Sequence, residues 1–159
     1  MSEPRIGLVT IGRNEGERLK RCLRSVPDGV PVVYVDSGSR DDSVAFATSL
    51  GMDVETLDMS KPFTAARGRN AGWRRLLAAH PGLDYIQFVD GDCELAPGWI
   101  AAAERALDGE TQLCAVFGRR RERFPDASPY NALCDDEWIF PIGLVTNCGG
   151  DALMRAEAL

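Results

Sequence analysis

"IQFVDGDCEL", residues 86–95, joins a run of apolar residues to two carboxylates, Asp90 and Asp92, one glycine apart. The apolar run predicts a buried β-strand, and a carboxylate at the end of such a strand is costly unless it is paired. Two carboxylates at this spacing can direct oxygens towards one point, where Mg²⁺ or Mn²⁺ prefers hard oxygen ligands together with substrate phosphates. The stretch therefore predicts a divalent metal site held by Asp90 and Asp92, with Gly91 keeping the turn free of a side chain.

The rest of the chain predicts an α/β fold around this strand. Short apolar runs alternate with longer amphipathic stretches, which is the pattern of a mostly parallel, Rossmann-like sheet flanked by helices. We predict strands at residues 5–11, 30–36, 53–57, 85–89 and 112–118. Helices are predicted at about 14–26, 41–50, 64–80 and 97–107, with a shorter one at 130–138. Asn14, Asp41 or Asp42, and Thr64 are the predicted helix caps.

The composition of the chain restricts the class of protein and the partners that we expect. The chain has 159 residues, 45% of them hydrophobic, which suits one globular domain with a real core. Its net charge of -6 argues against nucleic acid as a partner. The sequence contains neither the roughly 20 consecutive apolar residues of a membrane span nor an N-terminal secretory signal, so we expect a cytoplasmic protein. The five cysteines are far apart and form no CxxC pair, which predicts reduced packing residues.

Polar residues gather where the predicted strands end. "TIGRNE" follows the first strand, "DSGSRDDS" the second and "DGD" the fourth. Because ligands of open α/β sheets bind at the carboxyl ends of strands, we predict that Thr10, Arg13, Asp36 and Ser37 face the same cleft as the acidic pair. Taken singly, each of these residues could equally be a loop residue or a helix cap.

Five segments of the chain resemble the family two glycosyltransferases. They are "TIGRNEGERLKRCLRSV", "VYVDSGSRDDS", "PFTAARGRNAGW", "FVDGDCELAPGWI" and "CGGDALMRAEAL", which together cover nearly the whole sequence. The resemblance implies the GT-A fold, in which one α/β unit binds a nucleotide diphosphate sugar and transfers its sugar to an acceptor. The acceptor is left open as a glycan, a lipid-linked molecule or a small molecule, and the oligomeric state is also open.

The resemblance also implies roles for individual residues. Thr10, Arg13 and Glu15 match the loop that borders the nucleoside, and Asp36 matches the acid that contacts the base. Arg69 and Asn70 match the pair that precedes the family's DxD motif. Asp90, Gly91 and Asp92 match that motif, which holds the ribose and the Mg²⁺ or Mn²⁺ that bridges the diphosphate.

The implied reaction is an in-line attack by an acceptor hydroxyl, which inverts the anomeric carbon and needs a general base. In the family this base lies in an acidic motif that follows the segment "CGGDALMR". We expect one domain, with a donor half at 1–92 and the start of an acceptor half at 93–159, that ends inside a helix before the motif. Within the chain, the candidate bases are Asp151 and the cluster of Asp135, Asp136 and Glu137, each of which could equally be a cap or a solvated residue.

Two other functions are compatible with these residues, and the arginine run at 119–123 has two possible roles. A nucleotidyltransferase would use a similar sheet and acidic metal ligands, but it usually has a glycine-rich basic loop after the first strand, where this chain offers only Gly12 and Gly16. A non-catalytic nucleotide-binding fragment is the other alternative. The arginines at 119–121 and 123 can reach a donor phosphate or an anionic acceptor, or can form surface ion pairs with nearby acids.

Overall fold

The computed structural model describes residues 4–159, and these form one α/β unit. The strands are β1 Ile6–Gly12, β2 Val32–Asp36, β3 Asp53–Thr56, β4 Tyr85–Asp90, β5 Ala115–Val116 and β6 Ala152–Arg155. The helices are α1 Glu17–Arg24, α2 Ser43–Ser49, α3 Ala65–Ala79, α4 Trp99–Gly109 and α5 Pro129–Glu137, with 3-10 turns at Pro125–Ala127 and Ala156–Ala158. In this part of the chain the six strands form one sheet in the order β3-β2-β1-β4-β6-β5.

The strands β3, β2, β1 and β4 are parallel, and their register aligns their carboxyl ends. Gly12 of β1 lies opposite Asp36 of β2, and Ile11 lies opposite Asp90 of β4. The loops that follow β1, β2 and β4 therefore emerge at the same edge of the sheet. The predicted α/β fold with a mostly parallel sheet is confirmed.

The end of the chain differs from the prediction. We expected a helix there, but Ala152–Arg155 forms β6, which is antiparallel to both β4 and β5 and is followed by a 3-10 turn. Ala, Leu, Met and Arg favour helices in isolation, and here pairing with two strands overrides that preference. The strand predicted at 112–118 is also shorter, because only Ala115 and Val116 pair with β6.

The core lies on both faces of the sheet, as the period-2 alternation of strand side chains requires. On one face Leu8 and Tyr34 pack against Leu19, Cys22 and Leu23 of α1. The other face packs against α3, with a core of Val9, Val33, Val35, Leu76, Ile86 and Phe88. Burial raises the pKa of the Cys22 thiol to about 12, so this cysteine stays protonated and packs as a small apolar residue.

The predicted caps are confirmed in part. Thr64 caps α3, and its side chain accepts a hydrogen bond from the Arg67 N–H at 3.1 Å. The prediction for Asn14 is wrong, because α1 begins after Gly16 and the Asn14 Oδ1 instead accepts from the Arg40 N–H. Among the described helices, none has the length and apolar character needed to cross a bilayer.

Candidate functional site

The DGD turn is held by three hydrogen bonds that come from three different parts of the fold. The Gly91 N–H donates to the carbonyl oxygen of Ile11 at 2.8 Å, and the Asp90 N–H donates to Asp151 Oδ1 at 2.9 Å. Arg69 Nη2 donates to Asp90 Oδ1 at 2.6 Å. The turn is therefore fixed by β1, by α3 and by the residue that precedes β6.

The two carboxylates of the turn differ in their surroundings. Asp90 is paired with Arg69, and this ion pair offsets part of the free-energy cost of placing a charge at the end of a buried strand. Asp92 is exposed, and among the described residues its side chain accepts one hydrogen bond, from the Cys93 thiol, whose Sγ lies 3.5 Å from Asp92 Oδ1. Asp92 therefore keeps its oxygens available for a ligand.

This donor set fits Mg²⁺ or Mn²⁺ bound together with phosphates. Among residues 4–159, no group of three or more His, Cys, Asp or Glu side chains is arranged to hold a metal ion. Mg²⁺ commonly uses one or two carboxylates and completes its shell with water and substrate phosphates. Asp92, with Asp90 beside it, matches that arrangement and does not match a closed structural metal site.

Asp151 connects β6 to the DGD turn. Its side chain is only 15% exposed, and its Oδ1 accepts the hydrogen bond from the Asp90 N–H. Its Oδ2 has no hydrogen-bond partner among the described residues, and the nearest cation is Arg120, whose Nη1 lies 3.9 Å away. Burial raises the pKa of Asp151, the Asp90 N–H opposes the shift, and the charge of Asp90 adds to it.

Asp36 ends β2 and is almost fully buried at 2% exposure. Its Oδ2 accepts hydrogen bonds from the Gly38 and Ser39 N–H groups, each at 3.0 Å. Its Oδ1 accepts from the Tyr34 hydroxyl, also at 3.0 Å. The carboxylate thus shapes the loop after β2, and its predicted contact with a base stays a prediction.

We predict that Asp36→Ala lowers stability, because three donors lose their acceptor. Each unsatisfied buried group costs about 1–3 kcal/mol, and partial rescue by water brings the expected total to about 3 kcal/mol. For a domain of this size that is a fall in Tm of roughly 6–12 °C. Tyr34→Phe, which removes one donor and leaves the carboxylate, should lower Tm much less. Equal Tm values for Asp36→Ala and the natural chain would contradict this role.

The remaining predicted residues lie along the same edge of the sheet. Thr10 is buried, with its hydroxyl 3.7 Å from the Cys22 thiol, and Ser37 is buried. Glu15 Oε2 lies 2.8 Å from Arg18 Nη2. Exposed Arg13 stacks on the Phe63 ring, and exposed Asn70 accepts from Trp73 Nε1 at 3.1 Å.

A cleft of about 720 Å³ opens beside the DGD turn. Asp90, Asp92 and Asp151 line it, whereas Asp136 and Glu137 are exposed on α5 and do not. Its other walls include Arg18 and Arg21 of α1, the residues from 93 to the start of α4, the segment 118–124 and Trp138. The loops after β1 and β2 lie outside it, so the predicted nucleoside residues and the cleft occupy neighbouring parts of the same edge.

Sequence reasoning missed Gln87, a polar residue that lines this cleft. Gln87 is 1% exposed inside β4, and its Oε1 accepts from Trp99 Nε1 at 2.8 Å, which ties α4 to the cleft floor. A glutamine inside the apolar run of a predicted buried strand is a signal that could have found it. Arg120 belongs to the arginine run that the sequence singled out, but only the fold brings it close to Asp151.

An α/β sheet with an acidic turn after β4 is the arrangement that the resemblance to the family two glycosyltransferases implies. The model of the family described as Glycosyl transferase family 2 matches residues 8–159, and the chain therefore belongs to that family. The chain is 35% identical over 153 residues to a TPR repeat-containing protein of Synechococcus elongatus, covering 84% of this chain and 36% of that protein. It is 32% identical over 126 residues to an uncharacterised protein of Mycobacterium tuberculosis, and the match covers 76% of this chain and 38% of that protein. The chain thus spans little more than a third of these relatives.

Solved structures share the fold. Glucosyl-3-phosphoglycerate synthase of M. tuberculosis, in complex with Mn²⁺, UDP-glucose and glycerol 3-phosphate, has a TM-score of 0.65 and 21% identity, covering 97% of this chain and 57% of that one. A mannosyltransferase of Pyrobaculum calidifontis, in complex with GDP-mannose and Mn²⁺, has a TM-score of 0.64 and 20% identity, covering 99% and 46%. TarS of S. aureus has a TM-score of 0.62 and 15% identity, covering 96% and 47%.

Proposed function

We propose that this chain is the donor-binding part of a glycosyltransferase that moves a sugar from a nucleotide diphosphate sugar to an acceptor hydroxyl. The observation that carries the proposal is the DGD turn, which leaves the Asp92 carboxylate exposed in the lining of a cleft of about 720 Å³. Membership of the family and the nucleotide sugars bound by structures of the same fold support it. The wide spacing of the cysteines, typical of reduced thiols, favours the cytoplasm as its compartment.

The proposed donor lies along the sheet edge. Its nucleoside would meet the loops after β1 and β2, near Thr10, Arg13 and Asp36, and its diphosphate would reach Asp90 and Asp92. The alignment of Gly12 with Asp36 and of Ile11 with Asp90 supports this placement, because it brings these loops to one side of the sheet.

Asp92, with Asp90, would hold the divalent cation. A bound Mg²⁺ or Mn²⁺ supplies Lewis-acid stabilisation of the charge that develops on the departing diphosphate. Arg69 fixes the Asp90 carboxylate, and Gly91 fixes the backbone of the turn by its bond to β1. These contacts pre-organise the turn, so that less ordering is needed when donor binds.

The proposed transfer inverts the anomeric carbon and needs a general base. Of the acids predicted for this role, Asp151 lines the cleft, whereas Asp136 and Glu137 do not. Asp135 is engaged elsewhere, because it accepts hydrogen bonds from Arg119 and from the Glu122 N–H. Asp151 is therefore the candidate base that this chain offers, and its bond to Asp90 gives it a positioning role as well.

We predict that Asp151→Ala weakens metal-dependent binding of a nucleotide diphosphate about tenfold, because residues that orient metal ligands typically contribute 10- to 100-fold in affinity. Asp151→Asn keeps an acceptor oxygen for the Asp90 N–H and should retain affinity within about twofold. Calorimetric titration of both variants checks the positioning role. An equal loss of nucleotide affinity in Asp151→Ala and Asp151→Asn would contradict it. Normal affinity with a loss of transfer in Asp151→Asn would support the role as base.

The proposed reaction is tested by incubating the chain with UDP-, GDP-, ADP- and dTDP-sugars and Mn²⁺, and by measuring release of the nucleotide diphosphate with and without candidate acceptors. We expect metal-dependent release of the nucleotide diphosphate from donors of one nucleotide class. Binding of that nucleotide without release would favour the non-catalytic alternative. Pyrophosphate formation from a nucleoside triphosphate and a sugar phosphate would favour a nucleotidyltransferase.

A further inference from the structure

The cleft has a basic side that the proposed donor does not use. Four arginines of one segment line it together with the acidic turn, namely Arg119, Arg120, Arg121 and Arg123, which we call the arginine segment. This segment follows β5 and is held in shape by α5, because Asp135 Oδ1 accepts from the Glu122 N–H at 2.8 Å. It is therefore an anchored wall of the cleft.

The four arginines are not equally neutralised. Arg119 Nη2 is paired with Asp135 Oδ2 at 3.0 Å, and Arg123 is paired with Glu94. These two pairs match the surface ion pairs with nearby acids that the sequence allowed.

Arg120 is paired only loosely, with Asp151, and Arg121 forms no ion pair among the described residues. The acid nearest to Arg120 is Asp151, with 3.9 Å between Arg120 Nη1 and Asp151 Oδ2, which is too long for a hydrogen bond. The Arg120 guanidinium also lies 5.1 Å from the centre of the Trp138 ring, which holds it in place. Exposed Arg121 has no ion pair with any residue in the range 4–159.

The order of the strands places this charge on the acceptor side of the proposed donor. The nucleoside loops follow β1 and β2, the DGD turn follows β4, and the next strands along the sheet are β6 and β5. A donor whose nucleoside lies at β1 and β2 and whose diphosphate lies at β4 extends its sugar towards β6 and β5. The arginine segment stands where the sugar meets its acceptor.

We propose that Arg120 and Arg121 bind an anionic group, a phosphate or a carboxylate, carried by the acceptor. This inference rests on the proposed function for the direction of the donor. Guanidinium groups match the geometry of phosphate and carboxylate oxygens, and such charge-assisted bonds are among the stronger ones in proteins. The acceptor class is thereby narrowed to molecules that carry a negative charge close to the attacking hydroxyl.

The test is a titration with inorganic phosphate, in Mg²⁺, of the protein saturated with the nucleotide diphosphate that binds best. We expect phosphate to bind beside the nucleotide, and Arg120→Ala and Arg121→Ala each to weaken it about tenfold. Arg105→Ala, an exposed arginine on α4 outside the cleft, removes the same charge and should leave phosphate affinity unchanged. Thermal melts of all variants verify that each is folded.

Two results would overturn the inference. If phosphate and the nucleotide diphosphate compete, and the arginine variants weaken both, these arginines contact the donor diphosphate. If phosphate affinity is the same in Arg120→Ala, Arg121→Ala and Arg105→Ala, the segment forms no anion site. If no nucleotide binds, the proposed function fails separately, and phosphate titration of the free protein still decides, by the same comparison of variants, whether the arginines bind an anion.

Discussion

Asp92→Asn is expected to lower the affinity for a nucleotide diphosphate about 100-fold in the presence of Mn²⁺. The substitution keeps the size of the side chain and removes the charge that would bind the cation. Residues that only orient a metal ligand contribute 10- to 100-fold in metal affinity, so a direct ligand should reach at least the upper end of that range. Because the Asp92 side chain is exposed and supports no other element, the fold should be unaffected.

The matched control is Asp28→Asn, which removes the same charge from an exposed loop residue outside the cleft. Its affinity for the nucleotide diphosphate should equal that of the natural chain. Without metal, the natural chain and Asp92→Asn should bind equally weakly, since the difference between them depends on the cation. Equal affinity of Asp92→Asn and the natural chain in Mn²⁺ would contradict the role given to Asp92.

Gly72→Ala is expected to destabilise the fold strongly for a single added methyl group. Gly72 lies where α3 packs on the sheet, and a Cβ there would be 2.9 Å from Val35 Cγ2 and closer still to Val9 Cγ1. Both valines are buried strand residues that have little room to move. Overpacking of this kind costs about 1–3 kcal/mol or more, against a gain of about 1 kcal/mol from the higher helix propensity of alanine.

Because both valines would have to shift, the cost lies at the upper end of that range, and we expect a net loss of about 2 kcal/mol and a fall in Tm of roughly 4–8 °C. Gly109→Ala is the matched control, because Gly109 also lies in a helix but a Cβ there meets nothing within 4 Å. That variant should keep or slightly raise Tm. Thermal unfolding of the two variants side by side checks the prediction, and a Gly72→Ala protein as stable as Gly109→Ala would contradict this account of the helix–sheet contact.

The parts of the fold that local sequence encodes were predictable. β1, β2 and β4 are runs of Val, Ile and other apolar residues that end in polar loops, and α3 carries its own cap at Thr64. β6 was not predictable, because its residues favour a helix and become a strand only between β4 and β5. Asn14 misled for a related reason, since its side chain bonds to the loop after β2 and does not cap α1.

The same distinction holds for the candidate site. The DGD turn consists of consecutive residues, so the sequence alone predicted that Asp90 and Asp92 lie at the end of a strand. The pairing of Arg69 with Asp90 and the bond from the Asp90 N–H to Asp151 join residues 21 and 61 positions apart, and no local pattern reports such contacts. The contact between Tyr34 and Asp36 was partly predictable, because their two-residue spacing puts both side chains on one face of β2.

Asp90 and Asp92 are proposed to bind a nucleotide diphosphate through a divalent cation. Calorimetric titration of the natural chain with UDP, GDP, ADP and dTDP, first in Mn²⁺ and then in EDTA, tests this role. We expect one of these nucleotides to bind in Mn²⁺ and to lose at least tenfold in affinity in EDTA. Equal affinity in Mn²⁺ and EDTA, or no binding of any nucleotide in Mn²⁺, would contradict it.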